Sequence, residues 1–252
     1  MLTRQQLQRI AQHEHVSLQA QERDYLQHLL LALVYARIQA PVFKGGTALR
    51  IVHRGGRYSE DLDFNTLGSA AEAQKFWAGV VADLERYGIV AEMRQVWQGE
   101  AGYSFDVSYR GPLYDGRDRT KGKVRVDLSL RGEAVESQRE LVSPEYDDVR
   151  PFVLTVLTPP HLLAEKVRAL LVRGKPRDVY DLWLMRGKGW QIDWPLVERK
   201  LALYDLRFSP DLLESALTRV ARDWERDLRP LLPQLVAFED ARRAVEAYLH
   251  SA

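Results

Sequence analysis

Eight residues, Lys123 to Leu130, constrain the fold more than any other stretch. Val124, Val126, Leu128 and Leu130 alternate without a break with Lys123, Arg125, Asp127 and Ser129. Successive side chains of a strand point to opposite faces, so this segment demands a sheet with one packed face and one polar face. Such a sheet is largely antiparallel and covered on one side. A second stretch agrees: Tyr103, Phe105, Val107 and Tyr109 alternate with Ser104, Asp106, Ser108 and Arg110. Shorter strands are expected at 42–44, 60–65, 89–96 and 150–157.

Helical spacing surrounds these strands. A short helix is expected over 3–11, and a longer one over 18–39, capped by Ser17 and ended by Pro41. Ser69 and Glu72 form a capping box for a helix to about Tyr87. Past Thr158 the pattern is helical throughout. Prolines 159, 160, 176 and 210 mark first turns, Asp193 caps another helix, and a last one covers 239–250. The helix from Pro210 is expected to bury Leu212, Leu213, Ala216, Leu217, Val220, Ala221 and Trp224 together. The expectation is an α+β chain: residues 1–157 hold a mixed sheet with helices on one face, and 158–252 form a helical lobe.

Several functions are excluded early. Without cysteine there is no disulfide, thiol nucleophile or thiolate metal site. The longest apolar run, Leu29 to Ala36, is too short to span a membrane, and the N-terminus does not read as a signal peptide. The expectation is a cytoplasmic protein. Lys+Arg is 36 and Asp+Glu 35, so net charge does not mark a nucleic-acid binder. The six histidines show no metal-ligand spacing.

The chemistry concentrates in Pro41–Thr66. A short strand runs into Gly45-Gly46-Thr47 and a helix from Ala48, and a second turn leads to Ser59, Asp61 and Asp63. A glycine turn at a helix start can grip phosphate, but it also serves as a tight turn and nothing more. Asp61 and Asp63 share one strand face, and two adjacent carboxylates repel unless a cation lies between them. Mg²⁺ (or Mn²⁺) bound with NTP phosphates answers that repulsion. Asp127 is a third candidate, or else a surface acid paired with Arg125. Farther on, Lys166 and Arg173 share a helical face and either bind triphosphate or snorkel. Asp178 and Asp181 fall in first helical turns, where acids are favoured anyway, and Arg177 with Asp181 reads as an i,i+4 pair.

The ordered set F-K-G-G-T-A-L-R, S-E-D-L-D-F, V-R-V-D-L, E-K-V-R-A-L and P-R-D-V-Y-D-L-W resembles the AbiEii/AbiGii-type nucleotidyltransferase toxins, within the DNA polymerase β-like superfamily. The resemblance covers about 42–183. It implies that Gly45, Gly46 and Thr47 bind phosphate, flanked by Lys44 and Arg50, with Ser59 beside the nucleotide. It makes Asp61 and Asp63 the metal-binding pair and fits Asp127 less surely as the third carboxylate. Lys166 becomes the essential lysine and Asp178 the late essential aspartate, with Arg177 among the nucleotide-binding residues. It also implies that helices at 160–186 supply half of the site across a cleft.

The implied activity is transfer of NMP from an NTP to the 3′ end of tRNA, which stops translation. The implied partner is a winged-helix antitoxin. For an RNA acceptor, Arg54, Arg57, Arg117, Arg119, Lys121 and Lys123 are candidates for a basic rim, or are solvated loop residues. Two other readings remain open: transfer to a protein hydroxyl, as in AMPylating relatives, and a non-catalytic nucleotide- or partner-binding module.

Overall fold

A computed structural model of the chain describes residues 1–38, 40–66 and 68–250. It divides into two compact units. The first comprises Met1–Arg54 and Tyr58–Val156, and the second comprises Gly55–Arg57 and the chain from Leu157 onward.

The first unit opens with α1 (Arg4–His13) and α2 (Leu18–Tyr35), whose N-caps are Thr3 and Ser17. The helix expected over 18–39 thus stops at Tyr35, and Gln39 lies outside the described residues. A seven-stranded sheet follows. Its strands are β1 (Val42–Lys44), β2 (Asp61–Asn65), β3 (Val90–Gly99), β4 (Gly102–Arg110), β5 (Gly122–Ser129), β6 (Ser137–Val142) and β7 (Phe152–Leu157). The spatial order is β3-β4-β5-β2-β1-β7-β6. Strands β3/β4, β4/β5 and β1/β2 are antiparallel, while β2/β5 and β1/β7 are parallel. Helices α3 (Gly45–Ile51) and α4 (Ala70–Ala82) lie between β1 and β3 in sequence.

The alternation in β4 and β5 is realised in three dimensions. Phe43, Leu62, Phe64, Phe105, Val124 and Val126 are fully buried. A chain of rings fastens α4 to this apolar face: Phe64–Trp77 at 5.3 Å, Trp77–Phe105 at 5.4 Å and Phe105–Tyr103 at 5.7 Å between centroids. Helix α2 covers the same sheet alongside it. Every residue of α2 from Ala20 to Leu31 is buried except Arg23. The opposite face of β2, β4 and β5 is left polar, and it carries the carboxylates singled out above.

The second unit is built from α5 (Pro159–Arg173), α6 (Pro176–Gly187), α7 (Trp194–Ala202), α8 (Pro210–Ala221), α9 (Trp224–Leu228) and α10 (Phe238–His250). Helix α5 packs against α6, α7 and α8, and α10 packs against α6. Two expectations are corrected here. Strand β6 was not foreseen, because Ser-Gln-Arg-Glu at its start has no apolar alternation. The helix from Pro210 stops at Ala221, which is exposed, and Trp224 is buried from the separate α9.

Candidate active site

Strand register brings the carboxylates together. Lys44 on β1 faces Asp63 on β2, Asp63 faces Asp127 on β5, and Asp127 faces Ser104 on β4. Directly paired residues share a face, and neighbouring strands lie about 4.8 Å apart. Asp63 and Asp127 are therefore immediate neighbours on the polar face. Asp61 is one step along on the same face, opposite Arg125. Burial pushes the Asp127 carboxyl above its ordinary value, and the Asp61 carboxylate adds to the rise against the pull of Arg125 and Ser104. No local pattern sets the register of β2 against β5, so this convergence is supplied by the fold.

The glycine turn lies against the same carboxylates. Gly45 has φ +81°, and a Cβ there would land on Asp63 Oδ2, 2.7 Å from its Cγ. Only glycine leaves room for the Asp63 side chain over this backbone. Thr47 is fully buried, and its hydroxyl donates to the Asp61 carbonyl. That bond ties the start of α3 to β2, so the Thr47 proton is already committed. Ser59 is buried just before β2, where its carbonyl accepts from Gln27 Nε2 at 3.1 Å.

Arg50 is drawn toward α2. Its guanidinium lies 4.1 Å from the Tyr58 ring centroid, and its Nε is 3.6 Å from Asp24 Oδ1. Asp24 also accepts from Tyr146 at 2.6 Å and lies 3.3 Å from His28 Nδ1. Burial opposes the Asp24 charge, yet His28, Arg50 and Tyr146 together hold its pKa below the ordinary carboxylate value. This network was not foreseen, since Asp24 reads as one polar residue in a buried helix.

The second unit contains a buried ion cluster. Lys166 Nζ is 2.6 Å from Asp181 Oδ2 and 3.7 Å from Asp178 Oδ1. Arg57 clasps Asp181 in bidentate fashion, both bonds 2.7 Å. Arg173 clasps Asp178 in the same way at 2.9 and 2.8 Å. Burial opposes the Asp178 charge, but Arg173 and Lys166 hold its pKa down to about 2. Two corrections follow. Asp181 is paired with Arg57 and Lys166, rather than only locally with Arg177. Arg57 is 3% exposed, so it forms no part of a solvent-facing basic rim. Arg177 acts electrostatically on Asp178.

Among the other rim candidates, Arg117 pairs with Asp115, Lys121 with Asp118 at 2.9 Å, and Lys123 with Asp106 at 3.3 Å.

A model of the family described as nucleotidyl transferase AbiEii toxin, type IV toxin–antitoxin system, matches residues 28–250. The chain belongs to the AbiEii nucleotidyltransferase toxin family. Among solved structures, MenT4, a nucleotidyltransferase toxin from Mycobacterium tuberculosis H37Rv, aligns with a TM-score of 0.72 and 24% identity. The alignment covers 99% of this chain and 89% of that one. JHP933 from Helicobacter pylori aligns with a TM-score of 0.63 and 18% identity over 92% of this chain and 91% of that one. At these identities the likeness establishes the fold. A search of curated proteins returned no match. As an AbiEii toxin the chain is a nucleotidyltransferase, takes an NTP and has an antitoxin partner. No helix among the described residues is long and apolar enough to cross a membrane.

Asp61, Asp63 and Asp127 offer hard carboxylate oxygens on one sheet face, the donor chemistry of a Mg²⁺ site. Among the described residues, no three Asp, Glu or His side chains form a ready-made metal cage. Arg125 Nε stands 3.4 Å from Asp127 Oδ1. The donor set suits an ion that keeps water and substrate phosphate oxygens in its shell.

Proposed function

We propose that this AbiEii toxin transfers a nucleoside monophosphate from an NTP to the 3′ end of RNA, with tRNA as the acceptor, and so blocks translation. The observation that carries the reading is the placement of Asp63 beside Asp127 with the Gly45 turn packed on Asp63. In this reading the turn from Lys44 to Thr47 receives the triphosphate, and Lys44 offsets its charge. Thr47 and Arg50 hold the turn in place through Asp61 and Asp24. Asp61 and Asp63, with Asp127 alongside, would hold Mg²⁺ (or Mn²⁺), which when bound would neutralise phosphate charge and favour ionisation of the attacking hydroxyl. The acceptor hydroxyl attacks the α-phosphorus, the bond to the bridging oxygen breaks, and pyrophosphate leaves. To the helical unit we assign Lys166 and Asp178 as residues required for transfer, with Arg177 beside them. The antitoxin partner in this reading is a winged-helix protein.

The acceptor is tested by incubating the protein with each α-labelled NTP and cell extract, then digesting with RNase or protease. The reading predicts label that RNase removes and protease leaves. Label that survives RNase and is lost to protease would instead make the chain a protein-modifying enzyme.

A further inference from the structure

Trp97 is the one Phe, Tyr or Trp side chain among the described residues that stands mostly in solvent, with 57% of its surface exposed. Its position results from a backbone irregularity. Arg94 pairs with Asp106 on the polar face, and simple alternation from Arg94 would turn residue 97 toward the apolar side. Instead Gln95 adopts a left-handed φ of 48°, and the register shifts between Arg94 and Trp97. The extra residue brings Trp97 opposite Ser104, onto the polar face. Trp97 thereby joins the row that runs through Ser104, Asp127, Asp63 and Lys44.

The ring is also seated. A Cβ on Gly99 would come within 2.7 Å of its Cη2, and one on Gly102 within 3.4 Å of Cζ3. The indole lies against two residues that lack side chains, and it keeps more than half of its surface open. The bulge is tied to the site as well. Arg125 reaches the Gln95 carbonyl at 3.5 Å and Asp106 Oδ1 at 3.3 Å, and its Nε faces Asp127. A cavity of about 340 Å³ beside Asp61 is lined by Gln95, Arg125, Lys123 and Arg23, with Glu60 and Asp106 balancing their charge.

The row has a direction. The Gly45 turn closes it at β1, the carboxylates lie in the middle, and Trp97 ends it at β3. In an in-line displacement the nucleophile and the leaving group occupy opposite sides of the reacting phosphorus. With the triphosphate at the Gly45 end, the acceptor approaches from the β3 end, where Trp97 stands about 10 Å, or two strand spacings, from Asp127. An exposed, held aromatic beside cations is the arrangement that binds single-stranded nucleic acid through base stacking.

We propose that Trp97 is a stacking platform for a base in the single-stranded 3′ end of the RNA acceptor, with Lys123 and Arg125 next to its backbone. The inference rests on the RNA-transfer reading above and adds to it the surface that receives the acceptor. The Gln95 bulge and the two glycines are the devices that aim and seat the ring.

The test measures binding of a short labelled single-stranded RNA by anisotropy, at fixed salt and without NTP, for wild type, W97F, W97A and G99A. W97A should bind roughly fivefold to a hundredfold more weakly. W97F should stay near wild type, and G99A should weaken binding by displacing the ring. The KM for NTP should not change in W97A. Wild-type RNA affinity in W97A would overturn the platform while leaving RNA transfer standing. A raised NTP KM with unchanged RNA affinity would overturn it too, because the ring would then serve the nucleotide base. Absence of RNA binding and RNA labelling in the wild-type protein would remove both the platform and the functional reading.

Discussion

Replacing Gly45 with alanine is the sharpest structural perturbation of the site. Two costs arise at one residue. A left-handed φ in a residue with a Cβ costs about 1–2 kcal/mol. The new methyl also collides with the Asp63 carboxyl group. Pushing that side chain off its rotamer adds about 0.5–1.5 kcal/mol. The sum is about 1.5–3.5 kcal/mol, or roughly 3–14 °C in Tm for a chain of this size. The larger effect is on activity, since displacing a positioning group by about 1 Å can cost on the order of 10²-fold. The assay pairs nucleotide incorporation at saturating NTP with a thermal melt. G45A should fold, lose about 10²-fold or more in kcat, and add little further loss in a D63A background, because both act through one carboxylate. A G45A protein with wild-type kcat would refute the claim that the turn and Asp63 form one site.

Other consequences follow from the buried parts. D181A removes the carboxylate that Arg57 and Lys166 share, leaving Lys166 its longer contact with Asp178, and urea titration should show a loss of about 3–5 kcal/mol. The folded-state pKa of Asp178, about 2, lies below the ordinary aspartate value of 3.8. It therefore stabilises the fold above about pH 4, and that contribution of about 2 kcal/mol is lost as pH falls from 4 toward 2. Urea melts at pH 5 and pH 2.5 should show this dependence, and D178N should flatten it. W77A removes the ring that joins α4 to the sheet, and unfolding should cost about 3–5 kcal/mol less.

The parts of the fold that were legible are those where one residue's local pattern suffices. β5 was readable because every second side chain is apolar, and the Ser17, Ser69 and Asp193 caps were readable because capping is a short-range interaction. The candidate carboxylates were legible as residue types, but their convergence depends on β2 pairing with β5, sixty-odd residues later, which no local pattern carries. Arg57 and Asp181 illustrate the limit. They are separated by 124 positions, so spacing offered Asp181 only its near neighbour Arg177. The same holds for Arg50 and Asp24, where a buried acid on α2 captures a cation that sequence places beside the glycine turn. Strand β6 was hidden because its first four residues are polar on both sides.

The central claim is that the β2 carboxylates run nucleotidyl transfer. It is tested most directly by following α-labelled and γ-labelled NTP in parallel with wild type, D61A and D63N. The account predicts that wild type attaches the α label, releases the γ label as pyrophosphate, and that both variants fold yet transfer neither. Attachment of the γ label, or undiminished α-label transfer by folded D63N, would contradict it.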